Sequence, residues 1–67
     1  MNKKLLKENL KKHGEKQNDL ARHLGISVQT LSAKMGGKRA SFTQAEIKNI
    51  RTLYNLSDDD LIAIFFD

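Results

Sequence analysis

Apolar residues along this chain recur at intervals of three and four, and nowhere alternate with polar ones for long enough to make a strand. Leu5, Leu6 and Leu10 share one face of a first helix whose other face is lysine, and Gly14 stands at its exit as a left-handed stop. Leu20, Ala21 and Leu24 mark the inner face of a second helix, closed by Gly25. Three later starts repeat one local grammar: an apolar residue, a Ser or Thr, three intervening residues, then another apolar residue. They are Ile26-Ser27 with Leu31, Phe42-Thr43 with Ile47, and Leu56-Ser57 with Leu61. The hydroxyl accepts from the free amides of the first turn, and the apolar pair closes over that turn as a staple. Glu46 completes a capping box with Thr43, and Asp60 does so less well with Ser57. Asp58, Asp59 and Asp60 complement the positive end of a helix dipole, which accounts for the acidic run without a metal. The second helix lacks this grammar, because Lys16 stands where a cap is expected. The pattern predicts an all-α single domain with five helices at about 3–13, 17–24, 28–35, 44–54 and 58–65.

The break between the second and third helices is short. Gly25 supplies a positive backbone angle, Ile26 drops inward, and Ser27 starts the next helix. Two helices joined so tightly must cross steeply, with small Ala21 admitting the close approach. Inward Leu20, Ala21, Leu24, Ile26 and Leu31 around Gly25 make a helix-turn-helix pattern. On a wheel of about 100° per residue, Leu31, Val28 and Met35 lie inward, while Gln29 and Ala33 fall opposite. Ser32 and Gly36 flank that outer face on one side and Thr30 on the other, with Lys34 at its edge. The face is small and uncharged, which suits entry into a major groove about 12 Å wide. A glutamine amide pairs with adenine, and an Ala or Val methyl rests on a thymine methyl.

Composition narrows the picture. With 67 residues and 39% hydrophobic content, the core is near the lower limit of self-sufficiency. There is no cysteine, so no disulfide or thiolate-metal staple is available. His13 and His23 are expected at the surface or at helix ends, and no metal site or other cofactor is expected. No apolar run approaches membrane-spanning length, and MNKKLLKEN lacks a signal peptide's apolar stretch, so the expected setting is the cytosol, without a membrane partner. Charge is segregated: residues 1–45 carry +7 and residues 46–67 carry −3. A basic front fits a polyanion partner with the acidic tail turned away, or an ordinary solvated basic surface. The lysines of the first helix fit the solvated face better.

The stretch QNDLARHLGISVQTLSAKMGGKR resembles the helix-turn-helix of small phage repressors of the lambda repressor/Cro type, also called XRE-like. The likeness in layout covers nearly the whole chain. The closing segment, GGKRASFTQAEIKNIRTLYNLSDDDLIAIFF, looks like short Cro-like regulators from phages of Gram-positive bacteria. The resemblance implies base contacts from Val28, Gln29, Ser32 and Ala33. Val28 departs from the glutamine many relatives carry, so a borrowed operator sequence does not transfer. Gln17 matches the glutamine that opens the family's second helix, where it binds a phosphate. Asn18, Thr30, Lys34, Lys38, Arg39 and Ser41 are further phosphate candidates, which set position and salt dependence. Lys34 stands where many relatives bury an apolar residue, a role Met35 fills here, so its alternative is to snorkel.

The last helix has an apolar surplus. Leu61, Ile64 and Phe65 share one face, and Ile62 and Phe66 another. The leftover face fits a twofold homodimer through Ile62 and Phe66, with Tyr54 or Leu53, or a fold-back of Phe66 onto the first helix. A dimer would set two reading helices about 34 Å apart on a palindromic operator. The leading expectation is a sequence-specific regulator of double-stranded DNA, without catalysis or a small-molecule ligand. The second is an anti-repressor or modulator that pairs with a phage repressor protein and masks its DNA-binding surface. An enzyme is the weakest reading, since no Ser/His/acid set, Cys/His set or phosphate-binding glycine loop is visible.

Overall fold

In a computed structural model that describes residues 1–37 and 42–66, the chain forms five α-helices. They are α1 (Lys3–Lys12), α2 (Gln17–Leu24), α3 (Val28–Gly36), α4 (Gln44–Tyr54) and α5 (Asp58–Phe65). There is no strand among the described residues. Each helix starts where the local chemistry asks for it. Ser27 Oγ accepts from the Thr30 amide at 3.1 Å. Thr43 Oγ1 accepts from the Glu46 amide at 3.1 Å, while Glu46 Oε1 accepts from the Thr43 amide at 2.9 Å. The Ser57–Asp60 box is looser on its return arm, at 3.3 Å. Asn2, which the sequence reading did not single out, caps α1 by accepting from the Leu5 amide at 3.1 Å. Lys16 offers no side-chain acceptor to α2, but its amide donates to Asp19 Oδ2 at 2.9 Å, so half of a box survives.

Exits are equally local. Gly25 sits at φ +70, and its amide donates to Arg22 O while the Ile26 amide donates to Ala21 O. A β-carbon there would meet nothing within 4 Å, so the glycine answers a backbone need rather than a lack of space. Asn55 closes α4 in the same left-handed region at φ +51, the one non-glycine residue among those described to do so.

The helices close around a single core in which Leu6, Leu20, Leu31 and Ile50 are fully buried. Leu10, Ala21, Met35, Phe42, Tyr54, Leu56 and Ile64 complete it, with Leu24, Ile26 and Leu61 packed against its rim. Phe42 and Phe65 meet edge to face, ring centres 5.6 Å apart, which ties α5 to the segment ahead of α4. The two ends of the chain are joined by backbone: the Asn2 amide donates to Ile64 O at 2.6 Å. No helix is long and apolar enough, among the described residues, to cross a membrane.

Candidate nucleic-acid interface

The surface that the sequence singles out lies on α3. Leu31 and Met35 anchor this helix in the core, at 0% and 2% exposure, and their spacing fixes its rotation. Gln29, Ser32, Ala33 and Gly36 are consequently exposed on the other side. Val28, placed by the wheel on the inner side, is 40% exposed, so the first position of α3 lies outside the buried stripe that Leu31 and Met35 define. The outer face is therefore an amide, a hydroxyl and methyl groups on a narrow helix.

Around it, Gln17 is half-buried and Asn18 exposed at the start of α2. Thr30 is exposed and joined to the cap: Ser27 Oγ donates to Thr30 Oγ1 at 2.9 Å. Lys38, Arg39 and Ser41 lie outside the described residues. Lys34 is placed differently from the expectation. Its ammonium is not extended toward a phosphate but donates to Glu46 Oε1 at 3.0 Å, and the two side chains are only 13% and 16% exposed. Burial works against the charge on Glu46, and the Thr43 amide and the Lys34 ammonium outweigh it, so its carboxyl sits below the usual 4.5. The pair spans twelve positions of sequence, so no local pattern marks it.

A second polar cluster fastens the turn before α2 to the end of α4. Glu15, in the turn between α1 and α2, accepts from Tyr54 Oη at 2.7 Å and faces His23 Nε2 at 3.0 Å. The Tyr54 ring lies 5.1 Å from that of His13 at a tilt of 59°. Tyr54 is therefore 4% exposed, which corrects its assignment to a dimer surface: its hydroxyl points to Glu15, not outward. Its phenol is pushed well above the usual range, by burial first and then by donating to a carboxylate. The same hydroxyl, followed by the His23 hydrogen bond, holds the Glu15 carboxyl below 4.5.

That depression fixes a sign. A carboxylate whose pKa is lowered by folding contributes stability above its unfolded value, about 4.3. The contribution fades as pH falls through the lower folded value. Tyr54→Phe removes the largest cause and keeps the ring. The Glu15 carboxyl titration, followed by NMR, is expected to move up toward 4.5 in the variant. The melting temperature of the variant should also depend less on pH below about 4. An unchanged Glu15 titration would contradict the Tyr54 assignment.

The end of α5 carries the apolar surplus outward. Ile64 is buried and Leu61 and Phe65 are half-buried, but Ile62 is 56% and Phe66 67% exposed. Phe66 thus keeps most of its ring in water rather than covered by another helix. Leu53, on α4, is 41% exposed. A shallow cleft between α4 and α5 has Ile47, Leu61 and Phe66 along it and Lys48 and Arg51 at its rim. Arg51 is paired with Asp58 at 2.6 Å. Among the described residues no group of His, Asp or Glu is arranged to hold a metal ion.

No family model, curated protein or solved structure matches the chain.

Proposed function

We propose that the protein is a sequence-specific regulator that binds double-stranded DNA, using α2 and α3 as a helix-turn-helix and α3 as the helix that enters the major groove. The observation that carries this reading is the face of Gln29, Ser32 and Ala33. It is exposed, small and uncharged, on a helix whose rotation is fixed by two buried side chains. Small residues let a backbone approach base edges, and the glutamine amide offers the donor and acceptor that adenine N7 and N6 require. Val28, exposed beside them, suits a thymine methyl. Gln17, Asn18 and Thr30 lie on the neighbouring turns and suit phosphate oxygens. The basic balance of residues 1–45 supplies the attraction that any duplex would feel. The resemblance to lambda repressor/Cro-type, XRE-like regulators supports the same assignment and points to a Cro-like phage repressor of the host cytosol that acts by occupying a promoter.

The exposed Ile62 and Phe66 support a twofold dimer on a palindromic site. They also favour the second reading, a modulator that pairs with a phage repressor and covers its DNA-binding surface, because bare apolar side chains serve protein contacts better than phosphates.

One experiment separates the two. Purified protein is incubated with fragmented host and phage DNA, and bound fragments are sequenced at several salt concentrations. Recovery of one palindrome, with affinity falling steeply as salt rises, is the expected result. No selection among fragments, together with tight capture of a repressor protein, would replace the first reading by the second.

A further inference from the structure

The outer side of α1 carries Lys3, Lys4, Lys7, Lys11 and Lys12, all exposed. Buried Leu6 and Leu10 fix the rotation of the helix, and Lys4, Lys7 and Lys11 fall within one sector of about 60° on its outward side. An ordinary solvated helix face mixes its signs and laces them together. Here the one acid is Glu8, within a turn of Lys4, Lys11 and Lys12. Among the described residues no carboxylate pairs with it or with any lysine of α1. Lys3 repels Lys7, and Lys7 repels Lys11, one turn apart. Lys3 and Lys4 also stand in a first turn without an acid, where the helix dipole disfavours a cation. Nothing described inside the fold offsets these repulsions; a line of negative charge outside it does.

Lys4 and Lys11 are about 10 Å apart along the helix axis. Double-stranded DNA carries one negative charge per about 1.7 Å, or about six over that length, so all three cations meet phosphates at once. No aromatic side chain stands among the lysines, so the face offers nothing to unstacked bases and suits a duplex backbone. α1 packs against α5 and α2, and α3 against α2, so α1 and α3 turn separate faces to water. We propose that Lys4, Lys7 and Lys11 form a second phosphate-binding surface, through which the protein holds another duplex while α3 occupies the first. Phosphate binding by α1 does not depend on what α3 binds; holding two duplexes rests on the DNA-binding reading of α3.

The test removes the α3 face first. Ala33→Phe is neutral, exposed and too bulky for close approach to base edges. This variant is expected to lose preference for the selected duplex and still bind a random duplex. Adding Lys7→Gln should flatten the slope of log affinity against log salt by about 0.9. Adding Lys4→Gln, Lys7→Gln and Lys11→Gln together should flatten it by about 2.7 and cost about 500-fold in affinity at about 0.1 M salt. Glutamine is a good helix former at these exposed positions, and circular dichroism checks that each variant is folded. Lys48→Gln removes the same single charge from α4 and should leave the slope unchanged. Equal flattening by Lys7→Gln and Lys48→Gln would mean a general effect of net charge, and overturns the proposal. So does loss of all duplex binding in folded Ala33→Phe. In the second arm, immobilised selected duplex is loaded with protein and a labelled random duplex is passed over it. The wild-type protein should retain the label. The triple lysine variant, with Ala33 intact, should bind the selected duplex with unchanged base preference and retain no label. Retention by that variant would assign the second duplex to another α3 face and overturn the proposal. If no duplex is ever selected while lysine-dependent binding persists, the reading of α3 fails and the phosphate surface on α1 is supported.

Discussion

Leu31→Ala is expected to bring the folded and unfolded forms to comparable populations at 25 °C. The side chain is fully buried and lies in the one core shared by all five helices. Removing its isobutyl group loses the transfer free energy of the missing carbons and leaves a cavity, about 2–5 kcal/mol together. A chain of this length without disulfide or metal rarely holds more than about 3–5 kcal/mol in total. The loss is therefore most of what is present. Urea unfolding followed by helical ellipticity measures it, and a midpoint lower by about 2 M or more is the expected outcome, at roughly 1 kcal/mol per molar for so small a domain. Val28→Ala provides the contrast on the same helix. With 40% of Val28 already in water, its loss should stay below about 1 kcal/mol. Equal costs for the two substitutions would mean that α3 is rotated from the orientation described.

Gln29→Ala should leave folding intact and weaken binding to the selected DNA site by about 5- to 150-fold, or about 1–3 kcal/mol. Gln29 is exposed, and among the described residues no hydrogen bond ties its side chain to the rest of the fold, so folding should not depend on it. What is lost is a two-point contact with one base, and the preference at one base pair should relax accordingly. Because the residue is neutral, the salt slope should not change, which separates this contact from a phosphate contact. Titration of the selected duplex and of its single-base variants, at two salt concentrations, reads all three. Unchanged affinity and unchanged preference would remove Gln29 from the reading face.

The helices were legible because their signals are local. Caps such as Thr43 with Glu46 act over three residues, and the glycine at position 25 acts on its own backbone, so the chain carries these instructions in short words. The outward rotation of Gln29 and Ala33 was legible for a related reason: Leu31 and Met35 define the buried stripe, and the rest follows from helical geometry. Contacts between distant segments were not. Lys34 looks like an edge cation until α4 brings a carboxylate to it. Tyr54 looks like an amphipathic surface residue until the turn before α2 offers Glu15, thirty-nine positions away. Helical periodicity states which face a residue occupies, but not what packs against that face. It also left two outcomes open for Phe66, and the structure leaves that ring largely in water.

The bond from the Asn2 amide to the Ile64 carbonyl makes the two ends of the chain a single joint. Loosening the first turn of α1 strips α5 of a partner, and loosening α5 strips α1 in turn. Fraying at the termini is therefore shared rather than independent, and opens as one unit. A tag or fusion attached to either end works on the same hinge, a few ångströms of chain away from Ile62 and Phe66.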